Sequence, residues 1–365
     1  MVEKMKDESK INKLLNSKPY QMNQEEKCEI FQQAMQESLV YHIENSKDFK
    51  KICQNQNFDI NKEFSIEDIP YLPVSIFKKF EFISIPKENV FKTIFSSSTT
   101  SNTPSKIFLD RITSERQTKA LVSIISDFLQ EKKDFLILDA KETISSSDEV
   151  KSRATAIRGF LPFMNSIKFL LNDEFKMNLS ELDVNEDEKH YCFFGFTWLI
   201  YKIIQENKEN KTVKEIFSKL KFPFIIHLGG WKKLADIQVS RQQFYQEICE
   251  FFNTEENQII DIYGMTEQLG TIYPDCKFGN KHVSAYSEII IRNPVTLKSE
   301  GIGISGLIQL LSPIPHSYPG ISILSDDFGH LEGIDDCPCG RKGKYFRFDK
   351  RADTADLKGC GDTIG

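Results

Sequence analysis

The sequence lacks a run of about 18 apolar residues, so no transmembrane helix is expected. It also lacks a basic excess: 47 Lys and Arg against 53 Asp and Glu give a net charge of −6, which argues against a dedicated nucleic-acid binder. Residues 1–10 are charged and no apolar segment follows them, so no secretory signal is expected. Without such a signal, the eight scattered cysteines are expected to be reduced thiols in a cytoplasmic protein.

What is present is typical of a globular protein. The 365 residues are 40% apolar and 27% charged, enough for one large or two ordinary domains. The pattern predicts helices over 23–45, 113–130, 197–205, 212–220 and 240–252, and buried strands over 135–140, 167–171, 223–228 and 258–262. Such alternation indicates an α/β protein with parallel strands, whose sites lie at the carboxyl ends of the strands. After Gly264 the pattern becomes β-rich, with strands over 288–292, 306–311 and 320–324.

A hydroxyl-rich stretch separates two apolar segments. Residues 96–101 read Ser-Ser-Ser-Thr-Thr-Ser, and Lys106 follows shortly. Hydroxyl residues cannot fill a core, so these form an exposed loop. Its hydroxyls and amides suit a polyphosphate, with Lys106 adding positive charge. An ordinary Ser/Thr-rich linker is the alternative.

Two predicted strand ends carry polar groups. The first, residues 225–232, is Ile-Ile-His-Leu-Gly-Gly-Trp-Lys, where two glycines let the backbone approach a ligand. It predicts substrate contacts, or else an ordinary strand-to-helix turn with a satisfied histidine, at His227, Gly229, Gly230 and Trp231. The second, residues 259–267, ends in Tyr-Gly-Met-Thr-Glu. It offers a flat ring for a base, a hydroxyl for a phosphate and, in Glu267, an oxygen ligand for Mg²⁺.

The hydroxyl loop and the Tyr-Gly-Met-Thr-Glu segment together resemble the phosphate loop and the adenine and magnesium motif of the adenylate-forming, or acyl-CoA ligase, superfamily. Residues 68–77, 227–232, 317–320, 325–329, 339–341 and 358–360 resemble the acyl-protein synthetase (LuxE) family of bacterial bioluminescence systems. This resemblance implies the α/β large domain of those enzymes over 1–325, with mixed and parallel sheets. A C-terminal segment over 326–365 would follow, without the superfamily's full C-terminal lid domain.

The resemblance also implies a reaction. A fatty acid and ATP give an acyl-adenylate and pyrophosphate, and the acyl group passes to a cysteine thiol and then to a fatty acyl reductase subunit. Catalytic roles are implied for Cys360, Glu267 and Lys106, with Mg²⁺ on Glu267. Nucleotide contacts are implied for Ser97, Ser98, Thr99, Thr100, Ser101, Tyr263, Gly264, Thr266, Asp327 and Arg351.

Cys360 is the implied acyl acceptor. It lies between two glycines and after Lys358, so a swinging arm could deliver its thiol while the cation favours the thiolate. The family is similar in carrying its acceptor cysteine in such a tail. An exposed thiol without function is the alternative.

A structural zinc site is predicted at four further residues: Cys276, His282, Cys337 and Cys339. The alternative is that these cysteines are reduced, buried thiols without a metal. Related positions hold zinc in the phenylacetate-CoA ligase branch of the superfamily. The remaining cysteines, Cys28, Cys53, Cys192 and Cys249, are predicted to lie in the core.

The sequence departs from the superfamily at Ser98 and Ser101, where glycines normally give the phosphate loop its positive φ and its room for oxygens. Two other functions therefore remain open. One is a phenylacetate-type ligase that hands its adenylate to coenzyme A, and the other is a non-catalytic scaffold of an acyl-transfer complex. The aromatic side chains at 193–198 and Trp231 predict either an acyl tunnel or plain core.

Overall fold

The computed structural model of the protein describes residues 9–96, 104–145, 150–180, 182, 190–231 and 237–352. The chain divides into two compact units. The first comprises Met1–Ile124, Gly264–Tyr273 and Asn280–Gly365, and the second comprises Ile125–Tyr263 and Pro274–Gly279. Among the helices in the described ranges, none combines the length and the apolar composition needed to cross a membrane.

Nine helices occur in the described residues: α1 (Lys10–Leu15), α2 (Gln24–Asn45), α3 (Lys47–Asn55), α4 (Arg111–Leu129), α5 (Glu142–Ser145), α6 (Ser152–Phe160), α7 (Thr197–Asn207), α8 (Lys211–Lys219) and α9 (Arg241–Phe252). Helix α2 begins where the sequence predicts, because the Asn23 side chain accepts from the Glu26 amide and the Glu26 carboxylate accepts from the Asn23 amide. Helix α3 was not predicted.

The strands are β1 (Leu72–Pro73), β2 (Lys92–Phe95), β3 (Lys106–Leu109), β4 (Lys133–Ala140), β5 (Val150–Lys151), β6 (Met164–Leu171), β7 (His190–Phe196), β8 (Lys221–Leu228), β9 (Ile259–Tyr263), β10 (Tyr273–Pro274), β11 (Lys281–His282), β12 (Glu288–Arg292), β13 (Gly306–Leu311), β14 (Ser322–Ile334) and β15 (Lys344–Arg351).

The second unit is built on a parallel sheet. Strands β9, β8, β7, β4 and β6 lie side by side in that order, and each neighbouring pair is parallel. Strand β10 continues the sheet beyond β9. The strands are almost continuously apolar, as expected where a parallel sheet is covered on both faces. The predicted α/β class with parallel strands is confirmed.

The first unit contains the β-rich part of the chain. Strands β12, β13, β14 and β15 form an antiparallel series, with β11 beyond β15. Strand β1 pairs in parallel with β14, Leu72 opposite Ile323 and Pro73 opposite Leu324. The pairing places residues 72–73, which belong to the stretch 68–77 that resembles the LuxE family, beside the strand that carries Asp327, one of the implied nucleotide contacts.

Candidate active site

Strands β2 and β3 flank the hydroxyl-rich stretch in the first unit. The two strands pair antiparallel as a hairpin. Just beyond the paired strands the Ser96 amide donates to the Ser105 carbonyl at 3.1 Å, and the Ser105 amide donates to the Ser96 hydroxyl at 2.9 Å. The predicted phosphate-binding residues lie outside the described ranges, so their contacts stay predictions: Ser97, Ser98, Thr99, Thr100 and Ser101.

Glu267 lies in a 3₁₀ turn, Thr266–Gln268, and is only 5% exposed. Burial raises the pKa of its carboxyl, whereas the Ser105 hydroxyl and the positive charges of Lys78 and Arg351 lower it. The Ser105 hydroxyl is itself buried and faces this carboxyl without the geometry of a completed hydrogen bond. The base of the hairpin and the predicted magnesium ligand are therefore neighbours.

The predicted nucleotide residues near the end of the described chain also lie in the first unit. Asp327 of β14 is opposite Arg351 of β15, and its amide donates to the Ser325 hydroxyl at 3.2 Å. The neighbouring Asp326 is half-buried. Burial raises the pKa of the Asp326 carboxyl, and Arg351 and Lys78 lower it. Asp326 and Glu267 are thus influenced by the same two cations.

Residues 315–320, which we call the strap, join the hairpin to the Glu267 turn. The Ser317 hydroxyl donates to the Phe108 carbonyl of β3 at 2.7 Å. The Tyr318 hydroxyl donates to the Glu267 carbonyl at 2.9 Å. The strap therefore fixes the position of the turn relative to the strand that leaves the hydroxyl loop.

The next residue of the turn, Gln268, is tied to the same strap. Its side-chain amide donates to the Gly320 carbonyl at 3.0 Å and to the Leu310 carbonyl at 3.1 Å. A Cβ atom on Gly320 would lie 2.9 Å from the Glu267 carbonyl oxygen and closer still to the Tyr318 ring. Only glycine fits there without displacing the turn.

The catalytic role expected of Lys106 stays a prediction. Lys106 is the first residue of β3, and its ammonium lies 3.0 Å from the Glu81 carboxylate. Both side chains are about half exposed, 46% and 51%. The predicted catalytic cation is therefore paired at the surface.

The second unit holds His227 near the carboxyl end of β8. Its Nδ1 atom lies 3.0 Å from the Thr197 hydroxyl and 3.6 Å from the Asp261 carboxylate. The rings of Phe244 and Tyr245 pack edge-on against the imidazole at 5.4 and 5.8 Å. The substrate role of His227 stays a prediction, and so does the alternative of a satisfied histidine at a strand end.

The residues after His227 form an open turn. Gly229 and Gly230 are exposed, and the φ of Gly229 is +80°, which favours glycine. Trp231 packs against the rings of Tyr201 and Phe244 at 4.9 and 5.5 Å. Tyr263 ends β9 and is followed by the exposed Gly264. Their predicted ligand contacts stay predictions.

The predicted zinc ligands lie close together. The ligand atoms of Cys276, His282, Cys337 and Cys339 are all within 4.8 Å of one another. The His282 Nε2 atom lies 3.2 Å from the Cys339 sulfur, and the Asn280 side-chain amide donates to the Cys337 sulfur at 3.5 Å. His282 and Cys337 are buried. Three sulfurs and one imidazole are the donor set of a tetrahedral zinc site.

Other cysteines and aromatic residues are divided between core and surface. Cys53 and Cys192 are buried as predicted, but Cys28 is exposed and Cys249 is partly exposed, so the core prediction was wrong for Cys28. Phe193 and Phe194 are fully buried and pack against Phe252 and Phe160 rings, which makes them core. Cys360 lies outside the described ranges.

Four residues around these sites were not predicted: Lys78, Asp326, Thr197 and Asp261. The sequence could have drawn attention to Asp326 as well as Asp327. Adjacent residues of a strand face opposite sides of a sheet, so the two aspartates point in different directions. Lys78 carried no such signal, since its position depends on the pairing of β1 with β14.

Comparison with known proteins places the chain among ligases. Residues 2–365 match the family model described as acyl-protein synthetase, LuxE. Two relatives, from Aliivibrio fischeri and Vibrio harveyi, are both named long-chain-fatty-acid--luciferin-component ligase. Each relative is 25% identical to this chain, and each match covers 94% of this chain. The matches cover 90% of the Aliivibrio fischeri protein and 89% of the Vibrio harveyi protein.

The fold is shared with a solved acyl-CoA ligase. The open conformation of 2-hydroxyisobutyryl-CoA ligase, in complex with its acyl-AMP and CoA, superposes with a TM-score of 0.71 and 15% identity. The similarity covers 92% of this chain and 77% of that one, and at this identity it concerns the fold alone. This chain therefore has the fold of the adenylate-forming ligases and belongs to the acyl-protein synthetase (LuxE) family.

Proposed function

We propose that this chain uses ATP to activate a long-chain fatty acid and transfers the acyl group to the thiol of Cys360. In the first step a carboxylate oxygen of the acid attacks the α-phosphorus of ATP, and pyrophosphate leaves. In the second step the thiolate sulfur attacks the acyl carbonyl carbon, and AMP leaves. Adenylation is needed because a carboxylate oxygen is otherwise a poor leaving group.

The observation that carries this proposal is the closeness of Ser105 to Glu267 in the first unit. The hairpin that holds the hydroxyl loop and the turn that holds the buried carboxylate meet there, and the strap fixes both. Polyphosphate needs donors and a counter-charge at one place. Glu267 would hold a Mg²⁺ that offsets the charge of the phosphates.

The nucleotide contacts follow from the same arrangement. Asp327 would accept from the ribose hydroxyls, with Arg351 opposite it on β15. Tyr263 would present its ring to the adenine, since it ends β9 four residues before Glu267 along the chain. His227, Gly229, Gly230 and Trp231 would contact the acyl substrate at the end of β8.

The acyl acceptor distinguishes this function from that of a coenzyme A ligase. The relatives' name describes a ligase of long-chain fatty acids and a luciferin component. An acyl group on Cys360 would be passed on, and we infer a fatty acyl reductase as the recipient. The partner would take the acyl group from a thioester, a reactive carrier that needs no further ATP.

The test is an intact mass spectrum of the protein after incubation with ATP, Mg²⁺ and a fatty acid. Wild type is expected to gain the mass of one acyl group, and pyrophosphate is released. Cys360→Ser is expected to lose the acyl adduct and to retain pyrophosphate exchange. Cys28→Ser is the matched control, because Cys28 is an exposed thiol outside the site and its loss should change neither readout.

Two outcomes would favour the other functions. Formation of an acyl-CoA thioester on adding coenzyme A, with Cys360→Ser unimpaired, would assign the chain to the phenylacetate type. No pyrophosphate release with any acid would indicate a scaffold.

We also infer a structural Zn²⁺ held by Cys276, His282, Cys337 and Cys339. The proximity of the four donors supports it, as does the 3.2 Å separation of the His282 Nε2 atom and the Cys339 sulfur. Metal analysis of the purified protein is expected to find one zinc per chain, and a Cys337→Ser, Cys339→Ser variant is expected to lose it.

A further inference from the structure

Two carboxylates, Glu267 and Asp326, and two cations, Lys78 and Arg351, lie around the Glu267 turn, and no contact ion pair joins them to each other or to other described residues. Both Lys78 and Arg351 act electrostatically on Glu267 and on Asp326. Yet within the ranges that the structure describes, no carboxylate lies within 4.0 Å of the Lys78 ammonium. The site therefore contains a half-buried lysine, Lys78, whose ammonium has no contact carboxylate among the described residues.

The backbone holds Lys78 at this place. Strand β1 runs beside β14, and the 3₁₀ turn Val74–Lys78 continues from β1. Because Pro73 is opposite Leu324, the turn follows the course of β14 towards Asp326.

The residue before Lys78 anchors the turn. Phe77 is 2% exposed, and its ring packs against the rings of Phe82 and Tyr318 at 5.5 and 6.4 Å. Tyr318 belongs to the strap and binds the Glu267 carbonyl. Lys78 therefore follows a residue whose ring packs against Tyr318, the same side chain that positions the Glu267 turn.

Lys106 has the opposite properties. It is 46% exposed and forms a contact ion pair with Glu81. A phosphate that binds to Lys106 would have to replace the Glu81 carboxylate as its partner. The attraction between Lys106 and the phosphate would also be weak, because the ammonium is exposed to solvent. A phosphate binding to Lys78 would meet an ammonium without a contact carboxylate in the described ranges, on a half-buried side chain near the buried Glu267, where attraction is stronger than at an exposed pair.

We propose that Lys78, rather than Lys106, binds the polyphosphate of the nucleotide at the Glu267 turn. The proposal rests on the proposed adenylation function. Lys78 would attract the β- and γ-phosphates and stabilise the charge of the departing pyrophosphate, while Glu267 holds the metal ion. Lys106 would then serve the surface pairing of the hairpin with Glu81.

The experiment compares Lys78→Met with Lys106→Met in the full chain. Each variant is measured for acid-dependent exchange of pyrophosphate into ATP, and for binding of ATP with Mg²⁺ by calorimetry without fatty acid. Lys78→Met is expected to lower kcat/KM for ATP about 100-fold or more and to weaken ATP binding about tenfold. Lys106→Met is expected to stay within about threefold of wild type on both measures.

Lys78→Arg separates charge from fold. It is expected to recover much of the ATP binding that Lys78→Met loses, because it retains the positive charge. Loss of binding in Lys78→Met together with full binding in Lys106→Met supports the proposal. Wild-type ATP binding in Lys78→Met, or a larger loss in Lys106→Met, overturns it.

Failure of the proposed function gives a different result. In that event the wild-type protein exchanges no pyrophosphate with any acid, while the binding measurement still compares the two lysines. Wild type that binds no ATP overturns both.

Discussion

Two glutamates of the first unit are equally buried and have opposite pKa shifts. Glu267 is 5% exposed and Glu288 is 3% exposed. Burial favours the neutral form of both. At Glu288 the positive charges of Lys27 and Lys344 outweigh burial and lower the pKa to about 2. At Glu267 the nearby cations only partly offset burial, and the pKa is raised.

Distance explains the difference. The Lys27 and Lys344 ammonium groups each lie 3.3 Å from a Glu288 oxygen, and the Gln24 amide donates to the same carboxylate at 2.7 Å. Across the described residues, no cation comes within 4.0 Å of the Glu267 carboxylate. Glu288 is neutralised by the fold, whereas Glu267 keeps its capacity for a positive ligand. The first arrangement serves stability, and the second fits the binding role proposed for Glu267.

The strongest test of the difference between Glu267 and Glu288 is to replace each glutamate with the neutral glutamine. Glu288→Gln is expected to lower the free energy of unfolding by about 3–5 kcal/mol, because it leaves the buried Lys27 ammonium without its carboxylate. Glu267→Gln is expected to change it by less than about 1 kcal/mol, since the amide replaces a carboxylate that burial already disfavours. Urea unfolding at neutral pH, followed by circular dichroism, measures both. Equal losses would show that the two sites do not differ in kind.

The next prediction concerns pH. The raised pKa of Glu267 means that its contribution to stability is complete below the unfolded pKa of about 4.3 and is lost as pH rises through the folded pKa. The lowered pKa of Glu288 gives the reverse: its contribution is present above about 4.3 and is lost as pH falls towards 2. The difference in unfolding free energy between wild type and each glutamine variant, measured from pH 3 to pH 8, should change in opposite directions.

The same pKa shift predicts how Mg²⁺ binding depends on pH. Protonation of Glu267 removes a metal ligand, so the apparent Mg²⁺ affinity in pyrophosphate exchange should begin to fall at a pH above the ordinary glutamate value of about 4.3. Glu288→Gln, assayed under conditions where it remains folded, should retain the wild-type pH dependence. A profile that Glu267→Gln leaves unchanged would remove Glu267 from the metal site.

The comparison also shows which features a sequence can reveal. A binding role for Glu267 could be hypothesised because its neighbours along the chain form a motif, and helix α2 could be predicted because its cap is local. The Glu288 cluster could not, since Lys27, Glu288 and Lys344 meet only when α2, β12 and β15 pack together. Lys78 escaped prediction for the same reason.

Strand β7 and the second half of strand β14 were not predicted, because the hydrophobic pattern of the sequence does not reveal them. Strand β7 is buried along nearly its whole length, and an uninterrupted apolar run has no period that separates strand from core helix or pocket wall. Strand β14 was predicted to end at residue 324, but it extends to Ile334 because β15 pairs with its polar half. Pairing of this kind satisfies backbone groups whatever the side chains are, so charged residues do not end the strand.

The smallest expected effect concerns two tyrosines, one that positions the Glu267 turn and one that contributes only to the stability of the fold. Tyr318 and Tyr286 are both fully buried and each donates to a backbone carbonyl, Tyr318 to Glu267 at 2.9 Å and Tyr286 to Ser17 at 2.6 Å. Replacing either with Phe should cost about 1 kcal/mol of stability. Only Tyr318→Phe releases the carbonyl of the Glu267 turn, so only it should also raise the KM for ATP with Mg²⁺, by less than about tenfold. A similar rise in Tyr286→Phe would mean that general loosening of the first unit, and not the strap, controls the turn.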